Sequence, residues 1–262
     1  MHVLESFSLQ GRAALVTGGA GLYGRQITAA LAEAGALTFI AARNLEASEA
    51  YAAELRQQGL AVRAIRLDLA DESSICRAVE TVTAEAGRFD VLVNNAVTRS
   101  AIPGGWEQPM AAFDASLHVN ASSLFFLTRL AAQEMKKQRS GSIINVGSYM
   151  GLLGPNPSNY LGTDMMKHPS PIYFYEKGGM ANFTRFAASV LGTDNIRVNC
   201  IEPGGFQSGE TDRFVRNYSS NTMLGRMANG SDLKGVVVFL ASEASSYITG
   251  VNLPVDGGYT AK

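Results

Sequence analysis

A glycine-rich turn decides the fold of this chain, because it joins an apolar run to a helix-period stretch: Thr17-Gly18-Gly19-Ala20-Gly21-Leu22-Tyr23-Gly24. The short apolar run before it, Ala13–Thr17, predicts a strand buried on both faces. The stretch after it, residues 25–34, has the apolar spacing of an amphipathic helix. Because its glycines have no Cβ atoms, the turn can bend tightly and approach a pyrophosphate closely. The start of the helix then presents its backbone amides to that group. Strand, turn and helix together favour phosphate binding over an ordinary connection.

The same alternation of β-rich runs and helix-period stretches continues along the chain. Further strands are predicted at 37–41, 62–67, 91–93, 142–146, 197–201 and 251–255, and further helices at 48–58, from Asp71, and at 121–138, 173–191 and 232–241. Repeated βαβ units of this kind build a parallel sheet. We therefore expect an α/β fold, a single-domain, Rossmann-like, doubly wound parallel sheet that spans residues 1–262. Residues 151–171 are rich in proline and are expected to form a long loop.

Composition excludes several classes of protein. The 262 residues carry 22 Lys+Arg against 23 Asp+Glu, so no bulk positive field exists to hold a nucleic acid. The longest apolar run, residues 236–241, is too short to span a membrane, and the N-terminus does not resemble a secretory signal. Cys76 and Cys200 lie far apart in sequence, which favours a reducing cytoplasm without a disulfide framework. No cluster of histidines, cysteines and carboxylates predicts a metal site.

The residues after the second and third predicted strands bear on the choice of cofactor. Where NAD enzymes usually carry an acid for the adenosine ribose, this chain reads Ala41-Ala42-Arg43-Asn44. Arg43 can pair with a 2′-phosphate, so NADP(H) is favoured over NAD(H), although a solvated arginine is the alternative. Asp68 is placed to bind the adenine amino group or, alternatively, to cap the following helix.

Further motifs follow in a fixed order: Asp68-Leu69, Asn94-Asn95-Ala96, Asn120, Ser148, Tyr173 with Lys177, Asn199 with Pro203-Gly204, Thr249-Gly250 and Asp256-Gly257-Gly258. With the glycine turn, they resemble the short branch of the short-chain dehydrogenases/reductases over residues 9–259. The chain departs from that family in three places. Gly21-Leu22 stands where short members place a residue and then glycine, Val97 replaces a customary glycine, and the spacing from Ser148 to Tyr173 is longer. The inserted residues must loop out.

The resemblance implies hydride exchange between a nicotinamide cofactor and a secondary alcohol or ketone. Tyr173 would act as acid and base, Ser148 would bind the reacting oxygen, and Asn120 would support a proton relay through water to Lys177. Because residues four apart share one helix face, Tyr173 and Lys177 can point into one cleft, where the lysine charge favours an ionised tyrosine. The residues expected to bind the cofactor are Gly18, Gly19, Gly21, Leu22, Tyr23, Gly24, Arg43, Asp68, Leu69, Asn95, Ala96, Tyr173, Lys177, Pro203, Gly204 and Phe206.

The substrate is predicted from the inserted loop (residues 151–171) and from the segment that takes the place of the family's substrate lid (residues 205–221). The loop carries many polar residues, which suggests a sugar, a sugar acid or a polyol, although such residues are also typical of a solvated loop. The side chains and backbone expected to face the substrate are Ser148, Met150, Tyr160, His168, Gly205 and Gln207.

Two other functions remain open at this point. Arg129, Lys136, Lys137 and Arg139 can form a basic face for an acidic carrier protein, as a 3-oxoacyl-carrier-protein-type reductase requires, or simply solvate a helix end. A non-catalytic NADP(H)-sensing regulator is the second alternative. A serine hydrolase is excluded because His2, His118 and His168 are the only histidines and no nucleophile-elbow pattern frames a serine.

The resemblance also implies a homotetramer or a homodimer. The helix at 121–138 and the helix that carries Tyr173 would pack against neighbouring subunits. Small and apolar residues on the second helix, Gly178, Gly179, Met180, Phe183 and Ala187, permit such packing or burial within one chain.

Overall fold

The computed structural model describes residues 2–99, 102–165 and 170–262, without the side chains of 102–104. Its centre is a parallel sheet whose strands are β1 (Ala13–Thr17), β2 (Leu37–Ala42), β3 (Val62–Arg66), β4 (Val91–Asn94), β5 (Gly141–Val146), β6 (Ile196–Pro203) and β7 (Asn252–Val255). They lie in the order β3-β2-β1-β4-β5-β6-β7. The order reverses between β1 and β4, which confirms the predicted doubly wound topology.

Helices cover both faces of the sheet. They are α1 (Leu22–Glu33), α2 (Leu45–Gln57), α3 (Glu72–Ala86), α4 (Met110–Leu117), α5 (Ser123–Gln138), α6 (Pro171–Leu191), α7 (Asp212–Ser220) and α8 (Lys234–Ala241). α3, α5 and α6 share one apolar core with the sheet, whereas α1, α2 and α8 build the cores on the opposite face. All five residues of β1 are buried, as a strand covered on both faces requires.

Side-chain caps fix the starts of the helices that follow β2 and β3. Asn44 precedes α2 and accepts a hydrogen bond from the backbone N–H of Ala47 at 3.0 Å. Asp71 does the same for α3 by accepting from the N–H of Ser73 at 2.9 Å. These caps satisfy amides that have no partner within the helix, and they end the loops that carry Arg43 and Asp68.

The parallel arrangement gathers the predicted functional residues at one edge of the sheet. The glycine turn follows β1, Arg43 follows β2, Asp68 follows β3 and Asn95 follows β4. Ser148 follows β5 on the same edge. Ligands of doubly wound sheets bind outside the carboxyl ends of the strands, at the point where the strand order reverses.

The structure differs from the sequence predictions in several local elements, among them α4, a helix that was not predicted. The lid segment contains α7, whose start is capped by Thr211 accepting from the N–H of Phe214 at 3.4 Å. The helix predicted at 121–138 begins at Ser123, after a π-helical turn at His118–Ser122. The inserted loop holds a 3₁₀ turn at Pro157–Tyr160. Across the described ranges, no helix is long and apolar enough to cross a membrane.

Candidate active site

A cleft of about 810 Å³ runs along the carboxyl edge of the sheet. It brings together most of the residues predicted from the sequence: Gly18, Gly21, Leu22, Tyr23, Arg43, Asp68, Leu69, Asn95, Ala96, Ser148, Met150, Tyr160, Tyr173, Lys177, Pro203, Gly204, Gly205 and Phe206. The cleft thus extends from the turn after β2, past the glycine turn, to the helix that carries Tyr173.

The glycine turn is packed so tightly that larger residues have no room. A Cβ atom on Gly24 would lie 2.1 Å from the carbonyl oxygen of Gly18. Asn95 holds the turn from the other side, since its Nδ2 donates to the carbonyls of Thr17 at 2.9 Å and Gly18 at 3.1 Å. The hydroxyl of Thr17 accepts from the backbone N–H of Asn95 and of Ala96, each at 2.9 Å. Asn95 therefore acts within the protein by fixing the turn that opens α1.

The end of the cleft near β2 and β3 carries an exposed positive charge. Arg43 lines this end and forms no ion pair with any described residue. The capped start of α2 lies beside it, so a helix N-terminus adds to the positive field. Asp68 lines the cleft as well, and its Oδ1 accepts from the N–H of Ala70 at 3.0 Å. Asp71, and not Asp68, caps the start of α3, so the alternative role of Asp68 as a helix cap does not apply.

Ser148, Tyr173 and Lys177 meet at the other end of the cleft. Ser148 is 6% exposed and its hydroxyl oxygen accepts from the N–H of Met150 at 3.2 Å. Tyr173 and Lys177 lie one turn apart on α6, and Lys177 Nζ is 5.6 Å from the centroid of the Tyr173 ring. Lys177 is buried and donates to the carbonyl oxygen of Val146 at 2.7 Å.

Asn120 lies behind this end of the cleft rather than in its wall. Its Oδ1 accepts from the backbone N–H of Thr98 at 2.8 Å, and its Nδ2 donates to the Thr98 carbonyl at 3.0 Å. The same Nδ2 donates to the buried carboxyl of Glu176 at 2.9 Å. Glu176 also accepts from the hydroxyl of Ser116 at 2.7 Å. Burial raises the pKa of Glu176, while the bonds from Ser116 and Asn120 oppose that rise only in part.

A second buried carboxyl, that of Glu202, lies under Ser148. Its Oε2 accepts from the backbone N–H of Ser148 at 2.5 Å, and the residue is 0% exposed. Oε1 has no hydrogen-bond partner among the described residues. Burial raises the pKa of this carboxyl, whereas hydrogen bonds from Cys200 and Ser148 and the charge of Lys177 act in the opposite direction.

Aromatic and thioether side chains form the wall beside Ser148. The buried cluster comprises Tyr149, Tyr160, Phe214, Tyr218, Met227 and Tyr259, and all but Tyr259 line the cleft. The Tyr218 hydroxyl accepts from the N–H of Gly205 at 2.6 Å. Burial raises the pKa of Tyr149 and of Tyr218, so both phenols stay protonated. This wall is therefore largely aromatic, and its tyrosines carry no charge.

Three polar side chains of the inserted loop, those of Asn156, Ser158 and Asn159, form hydrogen bonds within the protein. Asn156 accepts from the N–H and the hydroxyl of Ser158, at 3.0 and 2.8 Å. Asn159 is buried and donates to the Tyr259 hydroxyl at 2.9 Å, while Asn221 donates to Ser158 and Asn159 at 2.9 and 3.0 Å. These bonds fasten the loop to Tyr259 and to the lid segment, so Asn156, Ser158 and Asn159 are not free groups in the cleft.

Several predicted residues lie elsewhere. Gly19 and Gly24 pack inside the turn rather than on the cleft surface, Asn120 lies behind it, and Gln207 is exposed and not part of its lining. His168 lies outside the described residues. Sequence reasoning missed Glu176, Glu202 and the aromatic wall. The only signals were a carboxylate directly before Lys177 and another between two apolar residues of a buried strand.

The helices predicted to meet other subunits expose apolar side chains, but not the expected ones. Met180 and Ala187 are buried within the chain, and the ring of Phe183 lies 6.3 Å from that of Phe125. The large hydrophobic side chains that α5 and α6 expose are those of Phe125, Tyr175, Phe186 and Val190. Subunit association through these helices stays a prediction.

Comparisons with known proteins agree with this architecture. A family profile described as enoyl-(acyl carrier protein) reductase matches residues 21–260. A cyclopentanol dehydrogenase from Comamonas testosteroni is 34% identical over 254 residues, which cover 94% of this chain and 96% of the relative. A 3-oxoacyl-[acyl-carrier-protein] reductase from Thermotoga maritima is 32% identical over 256 residues, or 95% and 98% of the two chains. The structure of a gluconate 5-dehydrogenase from Burkholderia cenocepacia in complex with NADP and tartrate superposes with a TM-score of 0.86 at 29% identity, covering 100% of both chains.

The profile spans nearly the whole chain, and the relatives match it from end to end. The glycine turn and the group of Ser148, Tyr173 and Lys177 line one cleft at the carboxyl edge of the sheet. The chain belongs to the short-chain dehydrogenase/reductase family and is an NAD(P)-dependent oxidoreductase.

Proposed function

We propose that this protein interconverts a secondary alcohol and a ketone with NADP(H), using Tyr173 as the acid and base. The observation that carries the proposal is the presence of Ser148, Tyr173 and Lys177 in one cleft with the glycine turn. A regulator that only senses the cofactor has no need for this buried lysine beside a tyrosine. Catalysis therefore explains more of the site than binding alone.

The cleft suits a phosphorylated dinucleotide. The tightly packed glycine turn and the start of α1 offer backbone amides to a pyrophosphate, and Arg43 with the start of α2 offers a positive field to a 2′-phosphate. When bound, a nicotinamide cofactor supplies or accepts the hydride. The 2′-phosphate interaction is the basis for favouring NADP(H), and the NADP named for the Burkholderia relative supports the same choice.

The residues at the other end of the cleft handle the proton and the oxygen. Ser148 would donate its hydroxyl hydrogen to the reacting oxygen, and Tyr173 would give that oxygen a proton in reduction or take one in oxidation. Lys177 lies one helical turn from Tyr173 and would bind the cofactor beside it. Asn120, with its amide group fixed by Thr98 and Glu176, would hold the π-helical turn in place behind Lys177.

The aromatic wall favours an uncharged, largely apolar substrate. Phe214, Tyr160 and Met227 offer contact area but no charge beside Ser148, and the Tyr218 hydroxyl already bonds to the backbone. The alcohol named for the Comamonas relative has the same character. A sugar, sugar acid or polyol remains the second candidate, supported by the gluconate named for the Burkholderia relative.

Two carboxylates, those of Glu134 and Asp194, offset part of the positive charge on the proposed face for an acidic carrier protein. Lys136 pairs with Asp194 at 2.9 Å, and Lys137 pairs with Glu134 at 2.7 Å. The guanidinium of Arg129 lies 4.9 Å from the centroid of the Phe126 ring. The two ion pairs reduce the positive charge that is free to meet an acidic partner, so we rank the carrier-linked reductase below activity on a free small molecule.

A cofactor and substrate screen tests this proposal. The purified protein is assayed with NADPH and with NADH against cyclic ketones, sugars, polyols and 3-oxoacyl thioesters, beside Tyr173→Phe as the control. We expect the cyclic ketones to turn over fastest with NADPH, and Tyr173→Phe to lose that activity while it still binds NADPH. Turnover confined to thioesters, or an unimpaired Tyr173→Phe variant, would contradict the proposal.

A further inference from the structure

Glu202 is a buried carboxyl to which the proposed chemistry gives no role. It is the second-last residue of β6 and is 0% exposed, directly beneath the strand end that carries Ser148. Its Oε2 accepts a hydrogen bond from the Ser148 N–H at 2.5 Å, so the carboxyl bonds directly to the backbone of the catalytic group. Burying a carboxyl costs folding free energy. We therefore expect Glu202 to do something at this position that an apolar residue cannot.

The tripeptide Val146-Gly147-Ser148 connects Glu202 to the catalytic group. Val146 accepts from Lys177 Nζ at 2.7 Å through its carbonyl, and two residues later Ser148 donates its N–H to Glu202. Between them, the N–H of Gly147 donates to the carbonyl of Ile201 at 2.8 Å. One short segment therefore places the Lys177 ammonium and the Ser148 hydroxyl relative to each other, and Glu202 is the side chain that anchors it.

Gly147 provides the space that Glu202 occupies. A Cβ atom at Gly147 would lie 2.0 Å from Glu202 Oε2 and 2.6 Å from its Cδ. The Sγ of Cys200, on the same face of β6, would lie 2.8 Å from that Cβ. No other residue type fits at position 147 while the carboxyl keeps its place, so the glycine and the acid form one arrangement.

We propose that Glu202 is a positioning residue of the active site, which holds the Ser148 N–H and thereby aligns the Ser148 hydroxyl with Lys177. The proposal rests on the proposed function for its kinetic consequence, since the alignment matters only if Ser148 binds the reacting oxygen. Glu202 does not line the cleft, so it acts through Ser148 and not by touching cofactor or substrate.

Three substitutions test the proposal. Glu202→Gln keeps an oxygen to accept from Ser148, Glu202→Ala removes the acceptor, and Gly147→Ala drives a methyl group into it. Because misplacement by about 1 Å costs about 100-fold in rate, we expect kcat to fall about 10- to 100-fold in Glu202→Ala and Gly147→Ala. The Kd for NADPH should stay within about twofold, because an interaction felt only in the reaction lowers kcat without weakening binding. Glu202→Gln should restore most of kcat.

The control is Ser142→Ala, at the far end of β5, the strand that precedes Gly147 and Ser148. Ser142 is buried and donates to the carbonyl of Leu240 at 2.7 Å, so its loss also removes one buried hydrogen bond. It should lower the melting temperature without lowering kcat. In the double variant of Gly147→Ala with Glu202→Ala, the loss of kcat should be smaller than the two single losses combined. The reason is that the carboxyl with which the new methyl group at position 147 would clash is gone.

Full kcat in Glu202→Ala, or equal losses of kcat in Glu202→Gln and Glu202→Ala, would overturn the proposal. Crystal structures of the wild type, Glu202→Gln and Glu202→Ala provide a readout that needs no turnover. Ser148 Oγ should move by more than about 0.5 Å in the alanine variant and stay in place in the glutamine variant. Absence of wild-type turnover would refute the proposed function alone, and an unmoved Ser148 would refute the role of Glu202 alone.

Discussion

Replacing Arg43 with alanine should weaken NADPH binding selectively. The guanidinium lies at the β2–β3 end of the cleft, is exposed, and pairs with no described acid, so its charge is available to a ligand. Two unit charges 4 Å apart attract by about 1 kcal/mol in bulk water and about 4 kcal/mol near a protein surface. Hydrogen bonds to charged groups contribute about 1.5–3 kcal/mol.

Because Arg43 is exposed, we expect Arg43→Ala to lose a binding free energy in the lower half of these ranges, about 2 kcal/mol. That corresponds to an increase of about 30-fold in the Kd for NADPH. The Kd for NADH should change by less than about twofold, because NADH has no 2′-phosphate to lose a contact. Salt should weaken NADPH binding to the wild type more than to Arg43→Ala, since exposed charges are screened.

Calorimetric titration of the wild type and variants with both cofactors measures these differences. Arg66→Ala is a matched control, because Arg66 is also exposed, at the end of the neighbouring strand β3, but does not line the cleft. It should leave both Kd values unchanged. An equal loss of NADPH and NADH affinity in Arg43→Ala would refute the reasoning, as would a wild type that prefers NADH.

Three further predictions concern the turn, acid stability and assembly. Gly24→Ala places a Cβ 2.1 Å from the Gly18 oxygen, so it should lower the free energy of unfolding in urea by about 1–3 kcal/mol and weaken NADPH binding. For Asp90, burial acts to raise the pKa, but hydrogen bonds led by Arg88 outweigh it and leave the pKa lowered. Its contribution to stability is therefore present above the unfolded pKa of about 3.9 and lost as pH falls through the folded pKa, so Asp90→Asn should flatten the decline of unfolding free energy between about pH 5 and pH 1. Phe186 is 62% exposed on α6, and Phe186→Glu should convert the expected tetramer or dimer to a monomer in size-exclusion chromatography with light scattering.

The strands of the sheet could be predicted from the sequence because the patterns that mark them are local. β1, β2 and β4 are short, mostly apolar runs between turn residues, β3 and β5 have apolar cores interrupted by polar residues, and the glycine turn marks where the first helix begins. Parallel strands then bring their carboxyl ends together without further information. For that reason the positions of Arg43, Asp68 and Ser148 along one cleft were predictable.

The inner parts of the site were not predictable, because burial and pairing depend on tertiary contacts. Nothing in the sequence around Glu202 shows that its carboxyl meets Ser148, which is 54 residues away. The polar residues of the inserted loop looked available to a substrate, yet Asn159 bonds to Tyr259, 100 residues later. The lid segment looked polar, but its amphipathic helix α7 turns Phe214 and Tyr218 towards the cleft.

Deuterium transfer tests the central claim most directly. The wild type is incubated with NADPH carrying deuterium at both C4 positions and with the best ketone of the screen, and the alcohol is analysed by mass spectrometry. If the protein reduces ketones by hydride transfer, each alcohol molecule carries one deuterium on its carbinol carbon, and Tyr173→Phe forms almost none. An alcohol without deuterium, or labelled alcohol formed equally by Tyr173→Phe, would contradict the account.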